Sequence, residues 1–305
     1  KESLEGDSPY LTESLRSLMK EKVVGSLASN HAVIGIPTAR TYSRTFTVPL
    51  AAAKNLADAV QIEADQYIPI ASNTLYIDYQ VIERTDTELT VLMSAVAQGI
   101  VDRIISVAQE AELRPVLVEP SISAVGRVLT ATEDGHLPSV IVDIGPAGTD
   151  ITVLDEGYIR VTGSASVGGN TFTLDIAKKL NVSLENAHQL KVLNGLNAGP
   201  RQQKISAALD GSLQRILTEV QKVMRYYNER IRDDRKLEQL LIVGAGSNIP
   251  GIGEYFTNQL VMPARVASPW QQLDFGQLPQ PAKQFRSRYI SAAGLASINP
   301  EEIWK

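Results

Sequence analysis

An aspartate followed by two glycines and a threonine separates two apolar segments near the middle of the chain. Asp143 ends the run at residues 140–142, and the turn with Gly145, Gly148 and Thr149 precedes the run at residues 151–154. Apolar runs broken by a glycine turn predict buried strands joined by tight hairpins. Backbone N–H groups in such a turn can bind an anion, and the aspartate can hold a hydrated metal ion beside a phosphate. The alternative is an ordinary hairpin, in which the aspartate and the threonine stabilise the turn and bind no ligand.

Three further turns stand where a predicted strand is expected to pass into a helix. They are Glu119-Pro120, expected to begin a helix, then Gly168-Gly169, and the run from Gly244 through Gly246 to Ser247. Short glycine motifs match by chance too often for any one of them to assign a site. The order of the four turns along the chain is therefore the stronger observation.

The composition and the net charge exclude several classes of function. The 305 residues suffice for about two domains of ~150 residues each. A net charge of −5 without basic runs gives no electrostatic case for binding nucleic acid or a membrane surface. The absence of cysteine excludes disulfides, thiolate catalysis and zinc–thiolate sites, and the scattered His31, His136 and His188 argue against a histidine metal site.

The predicted elements that position these turns fall into two groups. Residues 37–115 read as strand, helix, strand, strand, helix, which predicts a compact α+β unit. Downstream, two apolar runs within residues 140–154 and a third run that ends at residues 166–170 predict strands. A helix begins at Gly168-Gly169, and Ser183 has the form of an N-cap for the next helix. A long amphipathic helix at residues 205–231, a buried strand at 240–243 and a helix from about residue 249 follow.

In this order, the turns resemble the actin-like ATPase superfamily, which includes actin, sugar kinases and heat-shock chaperones. The resemblance implies an α/β, ribonuclease H-like fold in which two similar domains clamp a nucleotide between two phosphate hairpins. Residues 143–149 are similar to the second phosphate hairpin, and residues 243–247 resemble the adenosine motif, where a side chain at Gly246 would occupy ligand space. Glu119 resembles the acidic residue near the attacking water, and the alternative is a carboxylate that only the helix dipole favours.

Within this superfamily the chain resembles the PilM family of type IV pilus assembly over essentially its whole length. The most discriminating segment, residues 63–70, resembles the family's acidic-x-Tyr-Ile-Pro-Phe segment. The resemblance implies that residues 37–115 form the extra subdomain shared with FtsA. This subdomain belongs to a first domain of residues 1–131 and 287–305, and residues 132–286 form the second domain. Further motifs occur along the chain in the same order as in this family. They are Val116 to Pro120, Gly168-Gly169 with Thr173, Pro250-Gly251 and Ala292 to Ala296.

The resemblance implies a cytoplasmic ATP-binding scaffold at the inner face of the inner membrane, with at most a weak ATPase activity. Asp143 would hold Mg²⁺ through water, and Glu119 and Asp143 are the implied catalytic residues. The implied partner is the N-terminal peptide of the membrane protein PilN, beside Tyr67, Ile68 and Ile70; pilus motor ATPases and further copies of the chain are other implied partners. The residues implied to bind ATP are Asp143, Gly145, Gly148, Thr149, Gly168, Gly169, Lys191, Gly244, Gly246 and Ser247.

Two departures from the family pattern limit the resemblance. The superfamily's first phosphate hairpin is absent, since the chain begins at what resembles the helix that follows it. His188 stands where the family's ribose-contacting helix has glutamate; Lys191 is kept, although a lone helix lysine is more often a solvated surface charge. The alternative functions are a sugar-kinase-type phosphotransferase, for which no convincing general-base aspartate is found, and an FtsA-like cell-division filament protein. The latter ends in a basic amphipathic membrane helix, which residues 300–305 do not match.

Overall fold

The computed structural model describes residues 9–23, 27–133, 137–197, 199, 202–231, 234–277 and 279–303. His136 and residues 304–305, considered above, lie outside these residues. Contacts divide the chain into two compact units, Lys1–Ser121 with Leu295–Lys305 and Ile122–Gly294. The domain boundaries implied by the resemblance stay a prediction, and the two units are described separately.

In the described residues of its main segment, the first unit contains two sheets and three α-helices. The helices are α1 (Tyr10–Ser17, continued by a π-helical turn at Leu18–Lys22), α2 (Leu56–Tyr67) and α3 (Gln98–Glu110). The strands are β1 (His31–Ile36), β2 (Thr41–Pro49), β3 (Leu75–Arg84), β4 (Glu88–Ala97) and β5 (Arg114–Pro120). β1 and β5 pair in parallel, and β2, β4 and β3 form an antiparallel sheet in that order. The predicted order of elements in residues 37–115 is confirmed. The sequence predicts the first helix of this region over residues 51–67, whereas a 3₁₀ segment occupies Leu50–Asn55 and α2 begins at Leu56.

Helix α2 covers one face of the three-stranded sheet. Because side chains alternate along a strand, Leu89, Val91 and Met93 of β4 share this face. They are buried against Val60 and Ala64 of α2. The alternation seen in the sequence is therefore the pattern of a sheet with one face covered by a helix.

The second unit contains a mixed five-stranded sheet in the order β10-β9-β6-β7-β8. Its strands are β6 (Ser139–Ile144), β7 (Thr149–Asp155), β8 (Tyr158–Ala165), β9 (Gln239–Val243) and β10 (Ala264–Val266). Its helices are α4 (Ser121–Thr132), α5 (Gly169–Leu180), α6 (Leu184–Leu193), α7 (Gln202–Tyr226), α8 (Ile252–Leu260) and α9 (Ile290–Ala296). The last described helix, α10 (Pro300–Ile303), belongs to the first unit. The helix expected to begin at Glu119-Pro120 begins one residue later, at Ser121, because β5 continues through Pro120.

The core of the second unit lies between the sheet and the long helix α7. Val140 and Val142 of β6 are fully buried and belong to the same cluster as Ile205, Ile216 and Val220 of α7. The spacing of these α7 residues is the apolar stripe that the sequence predicted. None of the described helices is long and apolar enough to cross a bilayer.

A buried ionic network holds the end of α7 against the β7–β8 turn. The Arg160 side chain is 1% exposed, lies 4.0 Å from the Asp155 carboxylate and donates to Glu156 at 3.2 Å. One carboxylate oxygen of Asp155, Oδ2, accepts a hydrogen bond of 2.8 Å from the Tyr227 hydroxyl. The other, Oδ1, lies 2.7 Å from the Arg235 guanidinium as an ion pair, but the angle between them does not meet that of a hydrogen bond. Burial and the Asp155 carboxylate raise the pKa of Tyr227, so the phenol keeps its proton for this bond.

Candidate functional site

The hairpin between β6 and β7 has the predicted form. Asp143 lies opposite Asp150, and the Gly145 N–H closes the turn by donating to the Gly148 carbonyl at 2.8 Å. The Thr149 hydroxyl is buried and donates to the Val167 carbonyl at 2.7 Å. The N–H of Gly145 and the hydroxyl of Thr149 are therefore used within the protein, which leaves the N–H groups of residues 147 and 148 as the turn's candidate anion donors.

Asp143 is a half-buried carboxyl group whose charge is poorly compensated. Burial raises its pKa to about 7, and repulsion from Asp150 adds to the shift. Among the described residues, none donates a hydrogen bond to Asp143 or forms an ion pair with it. A bound cation would stabilise the charged form, since an opposite charge nearby favours ionisation.

The start of α5 packs directly on the hairpin. The Gly169 N–H donates to the Gly145 carbonyl and the Asn170 N–H to the Pro146 carbonyl, each at 2.9 Å. A Cβ on Gly168 would lie 2.5 Å from the Gly145 carbonyl oxygen, so only glycine fits between the helix and the turn. These first N–H groups of α5 therefore hold the hairpin in place.

Lys191 is not a solvated surface charge, contrary to the alternative raised by its sequence. Its side chain on α6 is buried, and its ammonium group donates to the Gly169 carbonyl at 2.7 Å and to the Thr173 hydroxyl at 2.8 Å. Burial lowers the pKa of Lys191 to about 8, and the positive charge of Arg288 contributes to the shift. No carboxylate of the described residues pairs with this ammonium group.

The turn after β9 is built on the hairpin as well. Gly244 has a φ of +84°, and a Cβ there would collide with the Asp143 carboxylate. The Ser247 hydroxyl is buried and donates to the Gly244 carbonyl at 2.7 Å. The expectation that a side chain at Gly246 would fill ligand space is wrong, because its Cβ would collide with the side chain of Ile144.

The predicted glycine turns of the second unit meet at one place. A Cβ on Gly169 would lie 3.7 Å from the Gly246 Cα, 3.7 Å from the Lys191 Nζ and 3.9 Å from the Gly145 carbonyl oxygen. Segments more than 100 residues apart in sequence thus surround one point, with a carboxyl group, Asp143, on the hairpin and an ammonium group, Lys191, on α6. This arrangement is suited to an anion that carries a cation.

One charged residue near this point was missed by the sequence analysis. Arg288 lies in a 3₁₀ segment, Lys283–Tyr289, whose Ser287 accepts a 2.9 Å hydrogen bond from Asn248 of the turn after β9. Arg288 also contributes to lowering the pKa of His188, after burial and Lys191. No local motif marks it, because its sequence neighbours are the irregular residues that were expected at 268–286.

The remaining predicted residues belong to the first unit. Glu119 is half-buried on β5, opposite Gly35 of β1. Ile68 is buried in the core beneath α2, whereas Tyr67 and Ile70 are 43% and 40% exposed. The Arg44 guanidinium stacks 4.6 Å above the Tyr67 ring and pairs with Glu63 at 2.8 Å. Of the three predicted peptide contacts, Tyr67 and Ile70 are accessible, and Ile68 supports them from within the core.

Comparisons with known proteins agree with this architecture. A solved PilM–PilN type IV pilus biogenesis complex matches with a TM-score of 0.75 at 20% identity, over 94% of this chain and 84% of that one. A MamK double helical filament matches with a TM-score of 0.56 at 16% identity, over 95% and 75% of the two chains. MreB 5 of Spiroplasma citri bound to AMPPNP matches with a TM-score of 0.50 at 18% identity, over 66% and 64%. These matches show the actin-like ATPase fold that the sequence predicted.

A sequence relative and a family model complete the comparison. Over a segment of 81 residues, the chain is 32% identical to the cell division protein FtsA of Neisseria meningitidis serogroup B. The matched segment covers 27% of this chain and 19% of the FtsA chain. The family model described as type IV pilus assembly protein PilM matches residues 6–298, nearly the whole chain. The family match favours neither the sugar-kinase-type phosphotransferase nor the FtsA-like filament protein. The chain belongs to the PilM family of type IV pilus assembly proteins.

Proposed function

We propose that this chain is an actin-like scaffold of type IV pilus assembly that binds ATP with Mg²⁺ in its second unit and a PilN peptide on its first unit. The observation that carries the nucleotide part is the pair of uncompensated charges at the meeting point of the glycine turns. Asp143 lacks a cation and Lys191 lacks an anion among the described residues. A magnesium–nucleotide complex supplies both charges at once.

The residues present fit such a ligand. Carboxylates hold Mg²⁺ directly or through its water shell, so Asp143 is the residue that would hold the ion. Mg²⁺ would neutralise part of the phosphate charge when bound. Five glycines let the backbone segments of the site approach one another and a ligand closely, because they carry no side chain: Gly145, Gly148, Gly168, Gly169 and Gly244. Lys191 is held by the Gly169 carbonyl and Thr173, which places its charge at the start of α5.

The same reasoning assigns supporting roles to the other predicted residues. Thr149 and Ser247 shape their turns through buried hydrogen bonds, and Gly246 lets the turn after β9 pack on Ile144. Asp143 is the candidate carboxylate of the second unit for a slow hydrolysis of ATP, and Glu119, on β5 of the first unit, is a catalytic candidate through the family resemblance alone. Any such ATPase activity is weak in this proposal, because the function is to hold partners together.

The partner part of the proposal rests on the accessible corner after α2. Tyr67 and Ile70 present apolar surface beside the three-stranded sheet, and Arg44 fixes the orientation of the Tyr67 ring. Exposed apolar groups on a rigid corner are suited to an extended peptide. By analogy with the solved PilM–PilN complex, the N-terminal cytoplasmic peptide of PilN is the proposed ligand. Through it the chain would sit in the cytoplasm at the inner face of the inner membrane, within reach of the pilus motor ATPases and of further copies of itself.

Nucleotide binding is tested with Asp143→Ala in the natural full-length protein. We expect the variant to fold and to lose Mg-ATP binding in calorimetry, because the carboxylate that holds the ion is gone. Asp58→Ala is the matched control, since Asp58 is an exposed aspartate of α2 in the first unit. Tight Mg-ATP binding by folded Asp143→Ala would refute the assignment.

Peptide binding is tested with Ile70→Asp and a labelled N-terminal PilN peptide in fluorescence anisotropy. Truncation of an apolar anchor at an interface costs ~2 kcal/mol or more, so the affinity should fall at least about tenfold. ATP affinity should stay nearly unchanged. Ile62→Asp is the control, because Ile62 is another exposed isoleucine, on α2 and 58% exposed. Equal peptide affinity for Ile70→Asp and the unaltered protein would place the peptide elsewhere.

A further inference from the structure

The strand β3 forms one edge of the three-stranded sheet of the first unit. The sheet order is β2-β4-β3, so β4 lies on one side of β3, and no strand of the described residues pairs with the other side. Three large side chains of this edge strand are well exposed, Tyr76 by 50%, Tyr79 by 38% and Val81 by 40%. Because an edge strand carries backbone groups that can pair with another chain, β3 is a candidate interaction surface.

The backbone groups on the free side of β3 belong to alternate residues. In an antiparallel ladder, only every second residue exchanges hydrogen bonds with a given neighbouring strand. The Tyr79 N–H donates to the Asp78 carboxylate at 2.8 Å, and the Leu75 carbonyl accepts from a side-chain amide at the start of α3 at 3.2 Å. Tyr79 and Leu75 are four residues apart and belong to the same alternating set. The free edge therefore presents the N–H and C=O groups of Ile77, Tyr79 and Val81.

The part of the edge around Tyr79 is regular and weakly protected. The register with β4 is unbroken from Leu75 to Val81, and it shifts only between Val81 and Glu83. Residues 77–81 contain one charged residue, Asp78, and neither proline nor lysine, which natural proteins use to block edge strands. A second strand can therefore pair along this segment without a bulge.

The same segment is complementary to a second copy of itself. Two identical strands that pair antiparallel are related by a twofold axis, so one residue can lie opposite itself. With the axis at Tyr79, the two tyrosine rings form a cross-strand aromatic pair, and Ile77 lies opposite Val81 of the partner subunit. Each Asp78 carboxylate then lies opposite the partner's Gln80, whose amide can donate to it. Ile77, Tyr79 and Val81 share the face that α2 covers, so this pairing continues one apolar face across both copies.

We propose that β3 pairs with β3 of a second copy of the chain, centred on Tyr79, and joins the two three-stranded sheets into one sheet of six strands. Asp78 limits the affinity, because its carboxylate must turn from the Tyr79 N–H to the amide of the other copy. The two Asp78 side chains also lie diagonally across the axis, about 7–8 Å apart at the backbone, and repel each other. The inference goes beyond the proposed function, since neither the nucleotide site nor the corner at Tyr67 and Ile70 contributes to it.

Single cysteines test the register of this pairing. The 305 residues contain no cysteine, so an introduced one reports on its own self-contact. Opposite residues of a hydrogen-bonded pair have Cα atoms about 5.5 Å apart, which a disulfide can span, so Tyr79→Cys should give a covalent dimer on mild oxidation. Val81→Cys is the matched control on the same edge and face. The two copies of residue 81 would be roughly 14 Å apart, beyond the reach of a disulfide.

Sedimentation velocity over a range of micromolar concentrations measures the association itself. Tyr79→Lys should raise the dimer dissociation constant about tenfold or more, because two opposed ammonium groups replace the aromatic pair. Asp78→Asn should lower it, since the repulsion is removed and the side-chain oxygen can still accept from Gln80. Tyr10→Lys is the control, because it makes the same change at a tyrosine of α1 that is 66% exposed, and it should leave the dissociation constant unchanged. Thermal unfolding checks that each variant is folded.

Several outcomes would overturn the inference. One is an unaltered protein that stays monomeric at the highest concentration, and another is a dimer that Tyr79→Lys leaves unchanged. Equal disulfide formation at positions 79 and 81 would indicate random collision, and a disulfide at position 81 alone would indicate another register. If no dimer forms and Tyr79→Lys abolishes binding of the PilN peptide, the edge binds the peptide instead. In that case the inference is wrong and the proposed function stands.

Discussion

Ligand binding at the proposed site should take up a proton at alkaline pH, because the Lys191 ammonium group is destabilised in the free protein. Its pKa is about 8, lowered first by burial and then by Arg288. A bound polyphosphate would favour the charged form and move the pKa back towards the ordinary lysine value. The pH range of interest is therefore above 8, where the free protein has begun to lose this proton.

The magnitude follows from the two pKa values. The pKa of Lys191 is about 8 in the free protein, and we take the ordinary lysine value of about 10.5 for the complex. Each binding event then takes up roughly 0.1 proton at pH 7, about 0.5 at pH 8 and about 0.9 at pH 9. The apparent affinity for the anion should fall by roughly tenfold between pH 7 and pH 9, since the protein must first recover the proton. His188, which also faces Lys191 and Arg288, has a lowered pKa and stays neutral across this range.

The assay is titration of inorganic tripolyphosphate by calorimetry at pH 7, 8 and 9, in two buffers that differ in ionisation enthalpy. The dependence of the observed heat on the buffer gives the number of protons taken up. Lys191→Met is the control, because it keeps a long apolar side chain and the Thr173 hydroxyl still donates to the Gly169 carbonyl at 3.0 Å. The control should bind more weakly and show no proton uptake at pH 8 or 9.

A binding heat that is the same in both buffers at pH 8 and 9 would refute the reasoning. So would an affinity that does not change between pH 7 and pH 9. Either result would mean that the ligand does not contact Lys191, even if it binds elsewhere in the second unit. Uptake that persists in Lys191→Met would assign the proton to another group.

Three further predictions concern stability. Asp155→Asn should lower the free energy of unfolding in urea by about 3–5 kcal/mol, because it removes the fully buried carboxylate that lies between Arg160 and Arg235 and accepts from Tyr227. Glu156→Gln should change the free energy of unfolding little, because the Glu156 side chain is 44% exposed; equal effects of the two variants would show that burial of the carboxylate is not the cause. Val261→Gly should raise the melting temperature, since this valine is 93% exposed and has a φ of +54° that β-branched residues disfavour; an unchanged or lower value would contradict it. Gly246→Ala should destabilise by about 1–3 kcal/mol in the same urea assay because its Cβ meets Ile144, and a fully stable variant would mean that the turn can move.

Local sequence patterns determined most of the secondary structure and the site's main turns. The apolar runs on either side of Gly145–Thr149 predicted the β6–β7 hairpin, and Ser183 caps α6 as expected, accepting a 3.2 Å hydrogen bond from the Asn186 N–H. The long apolar stripe predicted α7. These features depend on residues within a few positions of each other, so backbone propensity and side-chain period are sufficient to predict them.

Only the tertiary structure decided what the individual side chains do. Lys191 is buried because α6 packs against the start of α5, 22 residues earlier, and Gly246 faces Ile144 because the turn after β9 lies on the β6–β7 hairpin. Ile68 and Ile70 are separated by one proline, yet one is in the core and the other is exposed. Arg288 joins the site through a hydrogen bond between residues 39 positions apart. A sequence pattern records the type and spacing of residues, whereas burial, charge compensation and the direction of a side chain depend on which distant segments pack against it.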